Sequence, residues 1–131
     1  MADQVIPIVA AVDDDFRVRE SIESLLESAG YAPVVFSSAE EFLESGTLAA
    51  ATCVISDVRM PGMNGIELQR RIRVQRPALP VILISAHHDA EARRIAIDEG
   101  AVEFLYKPFD AANLIKLVQS ALTKAGEAPL A

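Results

Sequence analysis

The chain has 131 residues, 51% of them hydrophobic and 24% charged, with a formal net charge of −7 and one cysteine. This is the length of one domain, able to bury a core without metal or disulfide staples, and the lone Cys53 excludes an internal disulfide. The acidic balance argues against direct binding of nucleic acid, and no apolar stretch approaches the roughly 20 residues of a membrane span or resembles a secretory leader, so a cytoplasmic location is expected.

Apolar runs alternate with amphipathic stretches every roughly 20 to 25 residues, the pattern of βα units around a parallel sheet. The first strand is expected over Pro7–Val12 and runs into Asp13-Asp14-Asp15. The helix after it carries Val18, Ile22, Leu25, Leu26 and Ala29 on one stripe and stops at Gly30. The second strand, Ala32–Phe36, contains Pro33, which cannot donate to a ladder and so marks a sheet edge. Ser38, three before Glu41, opens the second helix as a capping box. The third strand, Thr52–Ser56, reaches Asp57; Met60-Pro61-Gly62 then breaks the chain, and a helix bearing Leu68 and Ile72 follows Asn64-Gly65.

The fourth strand, Val81–Ser85, is apolar almost throughout, as a strand covered on both faces must be. Its helix, from near Asp89 to Gly100, has a thin apolar face made of Ala92, Ile95 and Ala96. The fifth strand, Val102–Tyr106, precedes a helix capped by Asp110 and striped by Leu114, Leu117, Val118, Ala121 and Leu122. Residues 1–124 form one α/β domain on this pattern, and 125–131 a C-terminal tail or the start of a linker.

In such sheets the functional crevice lies beyond the carboxyl ends of the strands, at the switch in strand order. If the first and third strands are neighbours, Asp13, Asp14 and Asp57 converge, with Ser85 and Lys107 at the ends of the next two strands. Crowded carboxylates raise one another's pKa unless a cation compensates, and one lysine leaves the cluster negative. A hard divalent ion, Mg²⁺ (or Mn²⁺), suits the remainder, since it takes one or two carboxylates, waters and a phosphate oxygen. Asp57 is then placed to attack phosphorus and form an aspartyl-phosphate, with Lys107 neutralising the equatorial oxygens and Ser85 hydrogen-bonding one of them. A cis bond at Lys107-Pro108 would aim the lysine into the cleft.

The segments VDDD (12–15), SDVRMPGMNG (56–65), ISA (84–86) and FLYKPF (104–109) stand in this order. Together they resemble the receiver (phosphoacceptor) domains of two-component response regulators, and DDDFRVRESIESLLESAGY is similar to the FixJ-type subgroup. The likeness extends over essentially the whole chain. It implies a doubly wound five-stranded parallel sheet in the order 2-1-3-4-5, the flavodoxin/CheY-like (βα)5 fold. It implies that Asp57 is the phosphoacceptor, and that Asp13, Asp14 and Asp57 hold Mg²⁺ together with the backbone carbonyl of Arg59. Ser85 matches the family hydroxyl, Lys107 its lysine, and Phe104 its switch aromatic.

The implied function is to take a phosphoryl group from a sensor histidine kinase, or a phosphotransfer protein. The face of the fourth helix, fifth strand and fifth helix then changes, to homodimerise or to control transcription or a partner. Such a domain is a signalling module and assists only its own phosphorylation and dephosphorylation. The resemblance also implies a kinase-docking surface at Phe16, Arg17, Arg19 and the loop after Lys107. Arg59 and His87, each two residues beyond a site residue, match positions that influence phosphoryl lifetime; their bulk is expected to restrict the attacking water. FixJ-type regulators usually continue into a helix-turn-helix domain, which these residues lack, so the chain is either a single-domain regulator or the receiver of a longer protein.

Other readings compete. His87-His88 is better read as a solvated loop than as a metal pair, and Cys53 as a small core residue. Phe104 is a natural core residue as well as a switch position. Ile115 stands off the stripe of the fifth helix and is expected to be an exposed contact, a minor part of a dimer surface. A phosphatase of the haloacid-dehalogenase type would want an acid where Arg59 stands. A flavodoxin-like cofactor site would place phosphate against the DDD acids, which repel it. A receiver retained only for interaction would not need the full acid, hydroxyl and lysine set.

Overall fold

Residues 6–124 are described by a computed structural model of the chain. Its elements are β1 (Ile8–Val12), α1 (Phe16–Ser28), β2 (Ala32–Phe36), α2 (Ala39–Glu44), a 3₁₀ turn (Thr47–Ala49), β3 (Cys53–Asp57), α3 (Gly65–Gln75), β4 (Val81–Ser85), α4 (Ala90–Asp98), β5 (Glu103–Tyr106) and α5 (Ala111–Lys124). All strand pairings are parallel, in the order β2-β1-β3-β4-β5. This is the expected doubly wound (βα)5 sheet. Pro33 sits on the edge strand β2, opposite Val9. The tail expected over 125–131 lies outside the described residues.

Alternation along the strands divides the core into two layers. Ala10, Val12, Val54, Val81 and Leu83 face Phe42 of α2, Leu68 and Ile72 of α3 and Ala96 of α4. Val9, Ala11, Cys53, Ile55, Ile82 and Ile84 face Ile22 and Leu26 of α1 and Leu114 and Val118 of α5. Full burial pushes the Cys53 thiol up to about 12, which leaves it an inert core residue.

Each helix is positioned by its cap. Asp15, Asn64 and Asp89 accept hydrogen bonds from first-turn amides of α1, α3 and α4. Asn64 and Glu67 close a complete capping box, whereas Glu41 reaches past the cap residue Ser38 to the amide of Ser37 at 2.8 Å. Gly30, at φ 92°, takes the left-handed turn after α1.

Several expectations are corrected. β1 begins at Ile8 rather than Pro7, and β5 at Glu103 rather than Val102. β3 begins at Cys53 and includes Asp57, rather than running over Thr52–Ser56. The ladder persists there because Val58 donates to the Ile84 carbonyl at 2.9 Å. Ile115 is half-buried against the layer beneath α1 and α5, not an exposed contact. The buried face of α5 is broader than a single stripe and takes in the residue beside Leu114.

Candidate functional site

The sheet brings the carboxyl ends of β1 and β3 side by side, and the acids predicted to converge do so. One carboxylate oxygen each from Asp13, Asp14 and Asp57 lie within 4.8 Å of one another. Asp13 is 1% exposed and Asp57 6%, whereas Asp14 faces solvent. Asp13 is clamped at both oxygens, accepting the Asp15 amide at 2.9 Å and the Lys107 ammonium at 2.9 Å. Lys107 Nζ also stands 3.6 Å from Asp57 Oδ1. The Lys107–Pro108 bond is cis, as the sequence suggested, and the lysine amide donates to the Ser85 carbonyl at 2.7 Å.

The electrostatics follow from this crowding. Burial pushes the Asp57 carboxyl up to about 6, and Asp13 and Asp14 add to the rise; Lys107 and the Val58 amide offset part of it. Burial alone would lower Lys107, but the hydrogen bond and charge of Asp13, joined by Asp57, carry its pKa above the ordinary lysine value. Three carboxylates against one ammonium leave a net charge of −2 (one minus three). An all-oxygen, part-buried, under-neutralised cluster is the donor set that a hard divalent cation favours, so these residues fit Mg²⁺ or Mn²⁺.

Gly65 explains how the chain leaves Asp57 so sharply. Its amide bonds the Val58 carbonyl at 2.8 Å, and a Cβ there would overlap the carbonyl oxygen of Asp57. The first turn of α3 therefore presses on the backbone of the site through a residue with no side chain.

The remaining predicted residues surround this cleft in different ways. Ser85 is buried, its hydroxyl donating to the His87 carbonyl and accepting from the His87 amide, both at 3.1 Å. Phe104 is buried at 3% exposure and meets Tyr106 edge-on, ring centroids 5.5 Å apart. Arg59 lies at the rim, its guanidinium 3.5 Å from the Asp89 carboxylate. His87 and His88 are exposed, as a solvated loop requires, and neither belongs to a metal-binding cluster among the described residues.

Three features were missed in the sequence. His88 stacks on Tyr106 at 4.3 Å with rings 7° from parallel, so part of that loop rests against β5. Asp89, in sequence only the start of a helix, is also the partner of Arg59. The steric role of Gly65 leaves a trace in the Asn64-Gly65 pair, which in sequence marks a helix start alone.

Beside Lys107 a groove of about 450 Å³ is lined by Arg17, Val18, Ser21, Ala86, Pro108 and Phe109. Phe16, next to Arg17 in the chain, is 61% exposed, with the Arg19 guanidinium 5.7 Å above its ring. No helix among the described residues is long and apolar enough to cross a membrane.

Comparison with known proteins places this geometry. The family described as the response regulator receiver domain matches residues 9–119. The transcriptional regulatory protein FixJ of Bradyrhizobium diazoefficiens is 38% identical over 117 residues, 89% of this chain and 57% of FixJ. The DNA-binding transcriptional regulator NtrC of Escherichia coli K12 is 39% identical over 116 residues, 88% of this chain and 25% of NtrC. The chain thus spans about half the length of the first of these relatives and a quarter of the second. A response regulator receiver domain protein from Clostridium thermocellum superposes with a TM-score of 0.88 at 28% identity, over 92% of this chain and 98% of that one.

Proposed function

The chain belongs to the response regulator receiver family, and from that premise we propose that it is the phosphoacceptor of a two-component pathway. In this reading residues 1–124 are the receiver unit, and Asp57 takes a phosphoryl group from a sensor histidine kinase or a phosphotransfer protein in the cytoplasm. The observation that carries it is Asp57 itself, a carboxylate buried at a strand end beside Lys107 at 3.6 Å, with its pKa pushed up to about 6.

The Asp57 oxygen attacks phosphorus in line, a new P–O bond forms, and the bond to the donor's leaving group breaks. Lys107, already bonded to Asp13, is poised to neutralise charge gathering on the phosphoryl oxygens. A divalent ion held by Asp13, Asp14, Asp57 and the Arg59 carbonyl would supply the rest of that neutralisation. Ser85 exchanges its bonds with His87 for a phosphoryl oxygen, and Phe104 is the aromatic whose packing answers that movement. The altered α4–β5–α5 face then serves homodimerisation or a partner, and transcription is controlled through that partner or a DNA-binding domain elsewhere. Kinase docking is assigned to the groove beside Lys107, lined by Arg17, and to the neighbouring first turn of α1 with Phe16 and Arg19.

The test is incubation with Mg²⁺ and acetyl phosphate followed by intact mass measurement. The expected result is a gain of about 80 Da, one phosphoryl group, absent from Asp57→Asn. A wild-type chain that takes no phosphoryl group from any donor would sink the reading.

A further inference from the structure

The Asp89 carboxylate has two oxygens with separate tasks. Oδ1 accepts the Ala92 amide at 3.1 Å and caps α4; Oδ2 faces the Arg59 guanidinium at 3.5 Å. The two side chains are 59% and 38% exposed, so the pair is weak and easily exchanged. Arg59 is nevertheless two residues from Asp57, on a long side chain with donors to spare. A phosphoryl group on Asp57 would bring a charge of about −1.5 to −2 within the guanidinium's neighbourhood. Arg59 would then stand between two anions, one of them Asp89.

We propose that Asp89 is a positioning residue for Arg59, holding the guanidinium back from the phosphoryl group and so setting how long that group survives. The proposal rests on the reading of Asp57 as phosphoacceptor. In the hydrolysis concerned, a water oxygen bonds to phosphorus while the P–O bond to Asp57 breaks. Inorganic phosphate leaves, the carboxylate is restored, and the water's proton passes to the departing phosphate or to solvent. A guanidinium drawn over the phosphoryl oxygens obstructs the in-line water; a guanidinium held by Asp89 leaves that approach open.

Asn caps a helix as well as Asp does, so Asp89→Asn removes the charge while keeping the bond to Ala92. Wild type, Asp89→Asn, Arg59→Ala and the double variant are loaded with acetyl phosphate and Mg²⁺, the donor is removed, and loss of the added mass is timed. The half-life of Asp89→Asn is expected to lengthen about two- to fivefold, the range an exposed ion pair can shift. In the Arg59→Ala background the same substitution is expected to change nothing. With Arg59→Lys, which keeps a charge for Asp89 to hold, the lengthening is expected to return. An unchanged or shortened half-life in Asp89→Asn overturns the proposal, as does an equal change with and without Arg59, which would assign the effect to α4. If wild type never gains the mass, the phosphoacceptor reading falls first and this inference with it. Normal loading with no effect of Asp89→Asn removes this inference alone.

Discussion

Helices α4 and α5 flank the same edge of the sheet and are held there by different forces. α5, 14 residues long, buries Leu114, Val118, Ala121 and Leu122. α4, with 9 residues, fully buries only Ala96. Its hold is polar: Gln69 donates to the Ala96 carbonyl at 3.1 Å, Arg70 grips Glu99 through two bonds of 2.6 and 2.8 Å, and Arg73 reaches the Glu99 carbonyl. Arg59 faces Asp89 at the other end, and Arg93 lies 3.7 Å from Glu103 of β5. Burial cannot be traded piecemeal, because exposing part of a packed stripe opens a cavity. Exposed ion pairs exchange partners at little cost. α5 is thus held by burial, and α4 by polar contacts that open at lower cost.

The contrast is most easily broken on the α5 side. Leu114→Ala should lower unfolding free energy by about 2–5 kcal/mol, measured by urea denaturation. A loss near zero would mean that α5 is not held by burial.

The second prediction concerns the strand ends, where burial and charge meet in one residue. The Asp57 pKa is raised from 3.8 to about 6, so the folded chain binds that proton more readily than the unfolded one. Relative to an unperturbed carboxyl, stability from this group is full below about pH 4 and is lost as pH rises through about 6. Asp57→Asn should therefore stabilise the metal-free protein by on the order of 1–3 kcal/mol at neutral pH, an advantage that fades toward pH 4. Denaturation of both forms across that window checks it, and a gain independent of pH would separate the effect from ionisation.

The smallest effect sharpens the comparison most. Glu99→Gln removes the charge that Arg70 grips on a surface-exposed pair and should move the urea midpoint far less than Leu114→Ala does. Amide exchange is expected to quicken in α4 and stay unchanged in α5. A cost as large as that of Leu114→Ala would show that the polar ties are structural after all.

The sequence exposed the parts of this molecule that depend on periodicity and on chain order. The run Val81–Ser85, the stop at Gly30 and the edge-marking Pro33 each carry a local physical signature, and the strand order came from the likeness of four short segments to a known family. The acid cluster was legible because the ends of parallel strands converge wherever the order switches. What escaped depends on how elements meet. Nothing in the sequence announces the pairing of Arg59 with Asp89, 30 positions apart, which exists only once β3 and β4 lie side by side. The stacking of His88 on Tyr106 is hidden for the same reason. Ile115 packs against the core because the face lying across a twisted sheet is wider than a one-row stripe.

The stack of His88 on Tyr106 has one more consequence. The chain contains no tryptophan and two tyrosines, so its near-ultraviolet emission comes from Tyr31 and Tyr106 alone. Tyr31 is buried in the layer beneath α1 and α5, away from the cleft, while Tyr106 packs against the opposite layer with an imidazole on its ring. One fluorophore is thus a fixed reference, and the other is in contact with the loop that leads from Ser85 into α4. The protein carries its own optical gauge of that loop, with no dye or engineered probe required.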